Sequence, residues 1–383
     1  MKIAMLTSGG DCQGLNSALR GVAKSLYCRF GNDVELYGVR DGYRGLIEDD
    51  IRKMNRNDFS GILTLGGTIL GTSRQPFKSM CLPAEEYGGK TRLEKMLETC
   101  KKYKFDCLVV LGGNGTHKTA NLLSQNGINI VSLPKTIDND LWGTDMTFGF
   151  QSAVDIATNV IDCIHSTASS HGRVFIVEVM GHKVGWLTLY AGISGGSDVI
   201  LIPEIPYDVN EVCRVLKKRK KEGKPFSILA VAEGAISKEE AALSKKEFKA
   251  ARATMKEPSV SYRLANEISA RTGQEIRVTI PGHFQRGGSP CAYDRMLTTR
   301  FGTAAAELIA NKKFGCMVAL QNNRIVPVPL EEVAGKLKTV SAMRFVLHAL
   351  WASRLDRQNN FSAKPAADVG KTPTSAFFAA LFR

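Results

Sequence analysis

Glycine clusters punctuate this chain at 8–14 (SGGDCQG), 65–71 (LGGTILG), 111–116 (LGGNGT) and 281–288 (PGHFQRGG), several of them directly after apolar, β-type runs. Glycine carries no Cβ, so the backbone there can close on a bound group, and its N–H groups can form an anion-binding nest. The β-type runs fall at 2–7, 35–39, 107–111, 129–133, 173–179, 199–202, 227–232, 275–280 and 316–321. Most are separated by stretches of helical period, clearest where Ala153, Ile156, Ala157, Val160, Ile161 and Ile164 form one apolar stripe. Such alternation predicts an α/β fold with largely parallel sheets covered by helices. Ligands of open α/β sheets lie beyond the carboxyl ends of the strands, so the glycine clusters are expected to converge on one site. A chain of 383 residues can bury two cores. The expected division is a first lobe over 1–140 with a chain return after about 255, and a second lobe over 141–255. The stretch 341–383 breaks the strand-to-glycine pattern and is read as an atypical C-terminal tail.

Composition narrows the partners. The formal charge is +14, which points to nucleic acid or to small anions carrying several phosphates. The densest basic run, KKRKKEGK at 217–224, lacks the interleaved aromatics of a single-strand binding groove and reads as a solvated helix end. The expectation is therefore small polyphosphate ligands, with no nucleic acid. No apolar run approaches the ~20 residues of a membrane helix, and Met1 leads directly into KIAMLT, so a cytoplasmic protein without a membrane partner is expected. Nine cysteines without a CxxC pair suggest reduced thiols rather than zinc ligands or disulfides.

The segment Pro134-Lys135-Thr136-Ile137-Asp138-Asn139-Asp140 follows the apolar run INIVSL and presents a cation, a hydroxyl and two carboxylates. Phosphoryl transfer needs such a set: a base for the incoming hydroxyl, a carboxylate for a magnesium ion, and donors for the oxygens of the moving group. An acidic turn is the plain alternative. Neither Gly9-Gly10 nor 112–115 matches G-x-G-x-x-G or the P-loop, which disfavours a dinucleotide fold and a P-loop ATPase. Further along, EVMGH at 178–182 and AEG at 232–234 end apolar runs, and His283 and Arg286 lie in GHFQRGG.

SGGDCQGLN, DGYRG, GGTILGTSR, GGNGT, PKTIDND, VEVMG, AEG and GHFQRGG occur in the same order as in the 6-phosphofructokinase family, which the chain resembles from Met1 to about Val340. The resemblance implies two Rossmann-like lobes with the active site in the cleft between them. It also implies a homo-oligomer, dimer or tetramer, in which a neighbouring subunit completes the sugar site. The substrates it implies are fructose 6-phosphate and ATP, with Mg²⁺. Position by position, Asp138 resembles the base for the sugar's C1 hydroxyl, and Thr136 and Arg74 the groups that steady the phosphoryl in flight. Gly9, Tyr43, Gly113, Gly115 and Thr116 resemble nucleotide-side contacts. Met180, Gly181, Glu233, His283 and Arg286 resemble fructose 6-phosphate contacts, with Arg173 and Arg277 reaching that phosphate from the adjacent subunit.

Departures from the family pattern carry information. GGNGT replaces the usual GGDGS, so Asn114 stands where a magnesium-linked aspartate normally sits, and Asp140 becomes the stronger metal candidate. Family members that use pyrophosphate typically carry an aspartate at the position of Gly115 and a lysine at that of Lys135. This chain pairs the ATP-type glycine with the pyrophosphate-type lysine, and since a steric block excludes a donor more strongly than one lysine attracts another, ATP is expected. The alternatives are a pyrophosphate-dependent fructose 6-phosphate 1-phosphotransferase and a non-catalytic sugar-phosphate sensor. A kinase of the NAD or diacylglycerol type would share GG-x-G-T but lack TIDND and HFQRGG.

Overall fold

A computed structural model describes residues 1–341. The tail expected from 341 lies outside the described residues, apart from Ser341. The described residues divide into two compact units: Met1–Asp155 with His283–Lys338, and Ile156–Gly282 with residues 339–341. The changes of unit fall inside the helix Phe150–His171 and the short 3₁₀ turn Gly282–Arg286. They come later than residues 140 and 255 because a boundary inside a continuous helix leaves no linker composition to read.

The first unit is built on seven strands: β1 Lys2–Thr7, β2 Glu35–Val39, β3 Ile51–Met54, β4 Cys107–Gly112 and β5 Ile130–Pro134, with β10 Cys316–Gln321 and β11 Arg324–Pro329 from the returning chain. Their order is β11-β10-β5-β4-β1-β2-β3. All neighbours are parallel except the two edge pairs, β2 with β3 and β10 with β11. The central strands β1, β4 and β5 are apolar along almost their whole length, as strands covered on both faces must be. One face packs a core that includes Leu6, Val39, Leu108, Val110, Met317 and Val328. From β1 the chain winds to β2 on one side and, through β4, to β5 on the other, so the topological switch lies between β1 and β4. Two of the glycine clusters follow these two strands.

The second unit holds β6 Val174–Val179, β7 Val199–Leu201, β8 Ser227–Ala232 and β9 Ile276–Thr279, in the all-parallel order β7-β8-β6-β9. Its core gathers Ile176, Leu229, Val231, Leu216, Leu264 and Ile268. The basic run 217–224 ends the helix Val209–Lys221, where cations complement the negative end of the helix dipole. All nine cysteines are free thiols. Among the described residues no helix is long and apolar enough to cross a membrane.

Candidate active site

At the end of β1 the chain turns on Gly9, whose φ of +86° suits a residue without Cβ. Thr72 Oγ1 donates to the Gly9 carbonyl at 2.7 Å, and Gly9 N donates to Ser73 O at 3.0 Å, so the 65–74 segment is sewn onto this turn. Gly10 is crowded: a Cβ there would lie 2.9 Å from the Arg286 guanidinium and 3.4 Å from that of Arg74. The Lys135 amine donates to the Gly10 carbonyl. It also lies 3.6 Å from where a Cβ of Gly9 would be, with Thr116 Oγ1 at 3.7 Å. Arg286 is anchored through its bond to Asp11 O at 2.9 Å. Three cations from distant parts of the sequence thus meet at one glycine turn, an arrangement suited to an anion with several charges. Burial pushes the Lys135 amine below lysine's ordinary value, and the nearby Arg286 charge adds to this.

β5 delivers the second element. Lys135 N donates to Gly112 O at 3.0 Å, carrying the pairing with β4 one residue past the end of β5. Thr136 Oγ1 accepts from Asp138 N at 3.1 Å, and Thr147 Oγ1 donates to Thr136 O at 2.7 Å. Asn139 adopts a left-handed conformation, φ +52°, which an asparagine tolerates when its side chain bonds locally. Its Oδ1 accepts from Thr147 N at 3.0 Å and from Lys338 Nζ at 2.8 Å. Asp138 and Asp140, on either side of this turn, are half-buried carboxylates. Burial, reinforced by the charge of Asp138, pushes Asp140 up to about 6.

The loop after β4 leads straight into the helix Asn114–Gln125, which no side chain caps. Its first N–H groups and its positive dipole end therefore face the same strand ends. A Cβ on Gly113 would lie 3.5 Å from Lys135 O, whereas one on Gly115 would meet nothing within 4 Å. Asn114 Nδ2 donates to Lys336 O at 2.6 Å, and its Oδ1 is buried without a hydrogen-bond partner among the described residues. Tyr43 differs from the expected direct nucleotide contact. It is 1% exposed, and its hydroxyl donates to Thr116 O at 2.9 Å, so it props the first turn of this helix from within the core.

Magnesium is the metal the resemblance implies. The buried acceptor Oδ1 of Asn114 and the half-buried, mutually repelling carboxylates Asp138 and Asp140 fit a hard, oxygen-liganded cation. Among the described residues no group of three or more His, Cys, Asp or Glu side chains forms a self-sufficient metal site.

In the second unit, Glu233 follows β8 and accepts from Gly181 N at 3.2 Å and His182 N at 2.7 Å, tying together the ends of β8 and β6. Gly181 is required by space, since a Cβ would lie 2.5 Å from Val184 O. Met180 is half-buried beside it. Arg173 and Arg277 share the exposed carboxylate of Glu275, with Arg173 Nε at 2.8 Å. His283 is exposed on the 3₁₀ turn that ends at Arg286.

The structure therefore brings Gly9, Arg74, Gly113, Asn114, Gly115, Thr116, Lys135, Thr136, Asp138, Asp140 and Arg286 to the strand ends of the first unit. It groups Met180, Gly181 and Glu233 at those of the second, and places Arg173 and Arg277 elsewhere on that unit. The doubled glycine Gly9-Gly10 reads as a candidate phosphate cradle in the sequence, whereas Lys338 has no local signal.

The phosphofructokinase family pattern matches residues 2–309. An ATP-dependent 6-phosphofructokinase of Spirochaeta thermophila is 58% identical over 337 residues, 88% of this chain and 92% of its own length. A pyrophosphate–fructose 6-phosphate 1-phosphotransferase of Amycolatopsis methanolica is 43% identical over 345 residues, 90% of this chain and 98% of its own. Among solved structures, phosphofructokinase of Pichia pastoris in the T-state superposes with a TM-score of 0.74 at 31% identity; the match covers 93% of this chain and 37% of that one.

Proposed function

The chain belongs to the phosphofructokinase family, and from that premise we infer an ATP-dependent 6-phosphofructokinase, which transfers the terminal phosphoryl group of ATP to the C1 hydroxyl of fructose 6-phosphate in glycolysis. The observation that carries the donor is the open space at Gly115, next to the uncapped helix start and the cations around Gly10. A nucleotide's inner phosphate has room there, which an aspartate side chain would fill.

Asp138 takes the proton of the C1 hydroxyl as that oxygen bonds to the phosphorus and the bond to the ADP oxygen breaks. Its backbone is held by Thr136 Oγ1, so the base enters the reaction pre-aimed. Thr136 and Arg74 steady the equatorial oxygens, and Lys135 draws charge off them. Gly9, Gly113 and Thr116 line the nucleotide side by backbone approach, with Tyr43 as a support behind Thr116. Asp140 and Asn114 would hold magnesium, which when bound supplies positive charge to the phosphate oxygens. For the sugar, His283, Arg286, Met180, Gly181 and Glu233 are the recognition groups that the resemblance implies. Arg173 and Arg277 serve a neighbouring copy of a homo-oligomer, since a guanidinium group can bind a phosphate bidentately. The reading also makes the enzyme cytoplasmic.

A pyrophosphate-using reading is favoured by one feature, the buried amine of Lys135 on Gly10. Fructose 1,6-bisphosphate formation measured with ATP and with pyrophosphate on one enzyme sample separates the two. ATP is expected to support the faster turnover, and Gly115→Asp to abolish it selectively. Faster turnover with pyrophosphate overturns the choice of donor.

A further inference from the structure

The chain returning from β11 runs as a strap over the loops that follow β4 and β5. Gly335 turns with φ +83° against the Lys118 side chain, 3.4 Å from its Cβ position. The Lys336 carbonyl accepts from Asn114 Nδ2 at 2.6 Å. Leu337 bridges Leu141 in antiparallel fashion, and Lys338 N donates to Asp140 O at 2.8 Å. The Lys338 amine then enters the loop itself. It donates to Asn139 Oδ1 at 2.8 Å, Thr144 O at 2.8 Å and Asp145 O at 3.0 Å. An ammonium can donate three hydrogen bonds from one nitrogen, and these three acceptors converge on it.

We propose that Lys338 is a positioning residue for phosphoryl transfer: its ammonium locks the left-handed turn at Asn139 and so sets the directions of the Asp138 and Asp140 carboxylates on either side. The inference rests on the reading that these carboxylates carry the chemistry. Asn139 sits between them, and reverting it to an ordinary right-handed conformation would swing both. Its side chain is held from one side by Thr147 and from the other by Lys338. Asn114 belongs to the same device. The amide of Asn114 donates to the Lys336 carbonyl, whereas an ionised aspartate, the residue of the family pattern, would set two acceptors face to face. The substitution at 114 therefore matches the strap and is more than the loss of a metal-side charge. Arginine cannot replace Lys338, because a planar fork does not satisfy three acceptors converging on one nitrogen.

The test uses the full-length enzyme with saturating ATP and fructose 6-phosphate. Lys338→Ala is expected to lower kcat by about 10- to 100-fold, the scale of a small misplacement of reacting groups, with KM for fructose 6-phosphate nearly unchanged. Added ethylamine or propylamine, which can enter the vacated space, is expected to restore a large part of the lost kcat. Near-wild-type turnover overturns the proposal, and so does a loss that no amine recovers. If Lys338→Ala does not fold, the near-isosteric Lys338→Met decides: a folded protein with kcat down at least about 10-fold supports positioning, whereas unimpaired turnover or an unfolded chain overturns it. Asp138→Ala assayed alongside keeps the two claims apart. If that variant still turns over, the reading of the loop itself fails; if it is dead while Lys338→Ala is active, only the positioning role fails.

Discussion

The loop 135–140 and the arginine edge of the second unit both present charges, but they hold them in opposite ways. In the loop, Lys135, Thr136 and Asn139 are buried and bonded to a neighbouring strand end, to Thr147 or to the strap. At the edge, Arg173 and Arg277 are balanced by Glu275, a partly exposed carboxylate, in pairs of the kind worth little in water. Under the proposed function, the difference separates groups that must be aimed from groups that must reach. Reacting atoms lose rate when displaced by a fraction of an ångström, whereas an arginine that meets a phosphate at a neighbouring subunit needs freedom to find it.

That contrast is breakable. Asp138→Ala should cut kcat by roughly 10²–10⁴-fold while leaving fructose 6-phosphate binding almost intact, as steady-state kinetics and calorimetry would report. Retained turnover would remove the loop from the chemistry. Next in size is an effect on stability. His117, fully buried with Nδ1 on Gly113 O at 2.8 Å, is pushed by burial down to about 4. The unfolded chain binds its proton below the ordinary value near 6.5 while the folded chain refuses it, so the contribution of His117 to stability should fall as pH drops from about 6.5 to about 4, by roughly 3 kcal/mol, while Asp140, raised to about 6, contributes with the opposite sign. Denaturant titrations of the wild type and His117→Asn across that range should differ by this amount; a difference that does not change with pH excludes the His117 contribution.

The edge predicts smaller, differently shaped effects. Arg277→Ala should raise KM for fructose 6-phosphate, lowering kcat/KM by about 10- to 100-fold through one lost charged hydrogen bond, with kcat nearly constant. A fall in kcat alone would place Arg277 with the aimed groups. Glu275→Gln should change KM by only a few-fold, since it merely removes a solvent-screened carboxylate from two guanidinium groups, and initial-rate measurements at two ionic strengths would detect it.

Much of this organisation is legible in the residues. The apolar runs of β1, β4, β5, β6 and β8 mark strands covered on both faces, and the glycine pairs mark where they end. Two strands escaped. β3 is four residues long with Arg52 and Lys53 at its centre, and β11 carries Pro327 and Pro329, tolerable because it is an edge strand. In the site, contacts inside a motif are visible and contacts between remote segments are not. Asn114 reads as a weakened metal ligand until Lys336, 222 positions later, is found on its amide. Tyr43 is a ligand contact only by resemblance, and in the structure its ring is core while its hydroxyl donates to Thr116 O. Lys338 gives no signal at all, since its three acceptors lie far upstream, Asn139 at a separation of 199.

The pairing of β5 with β10, Val131 against Cys316 and Ser132 against Met317, has a bearing on how the molecule is made. Chains emerge from the ribosome amino end first and begin to fold as they emerge. β5 and its loop exist long before β10 does, with one edge of the sheet open and Asn139 lacking its partner on the strap. The turn at Asn139 therefore gains its Lys338 partner only after 199 further residues have been made, and a chain that stops before the strap carries that turn without its second anchor.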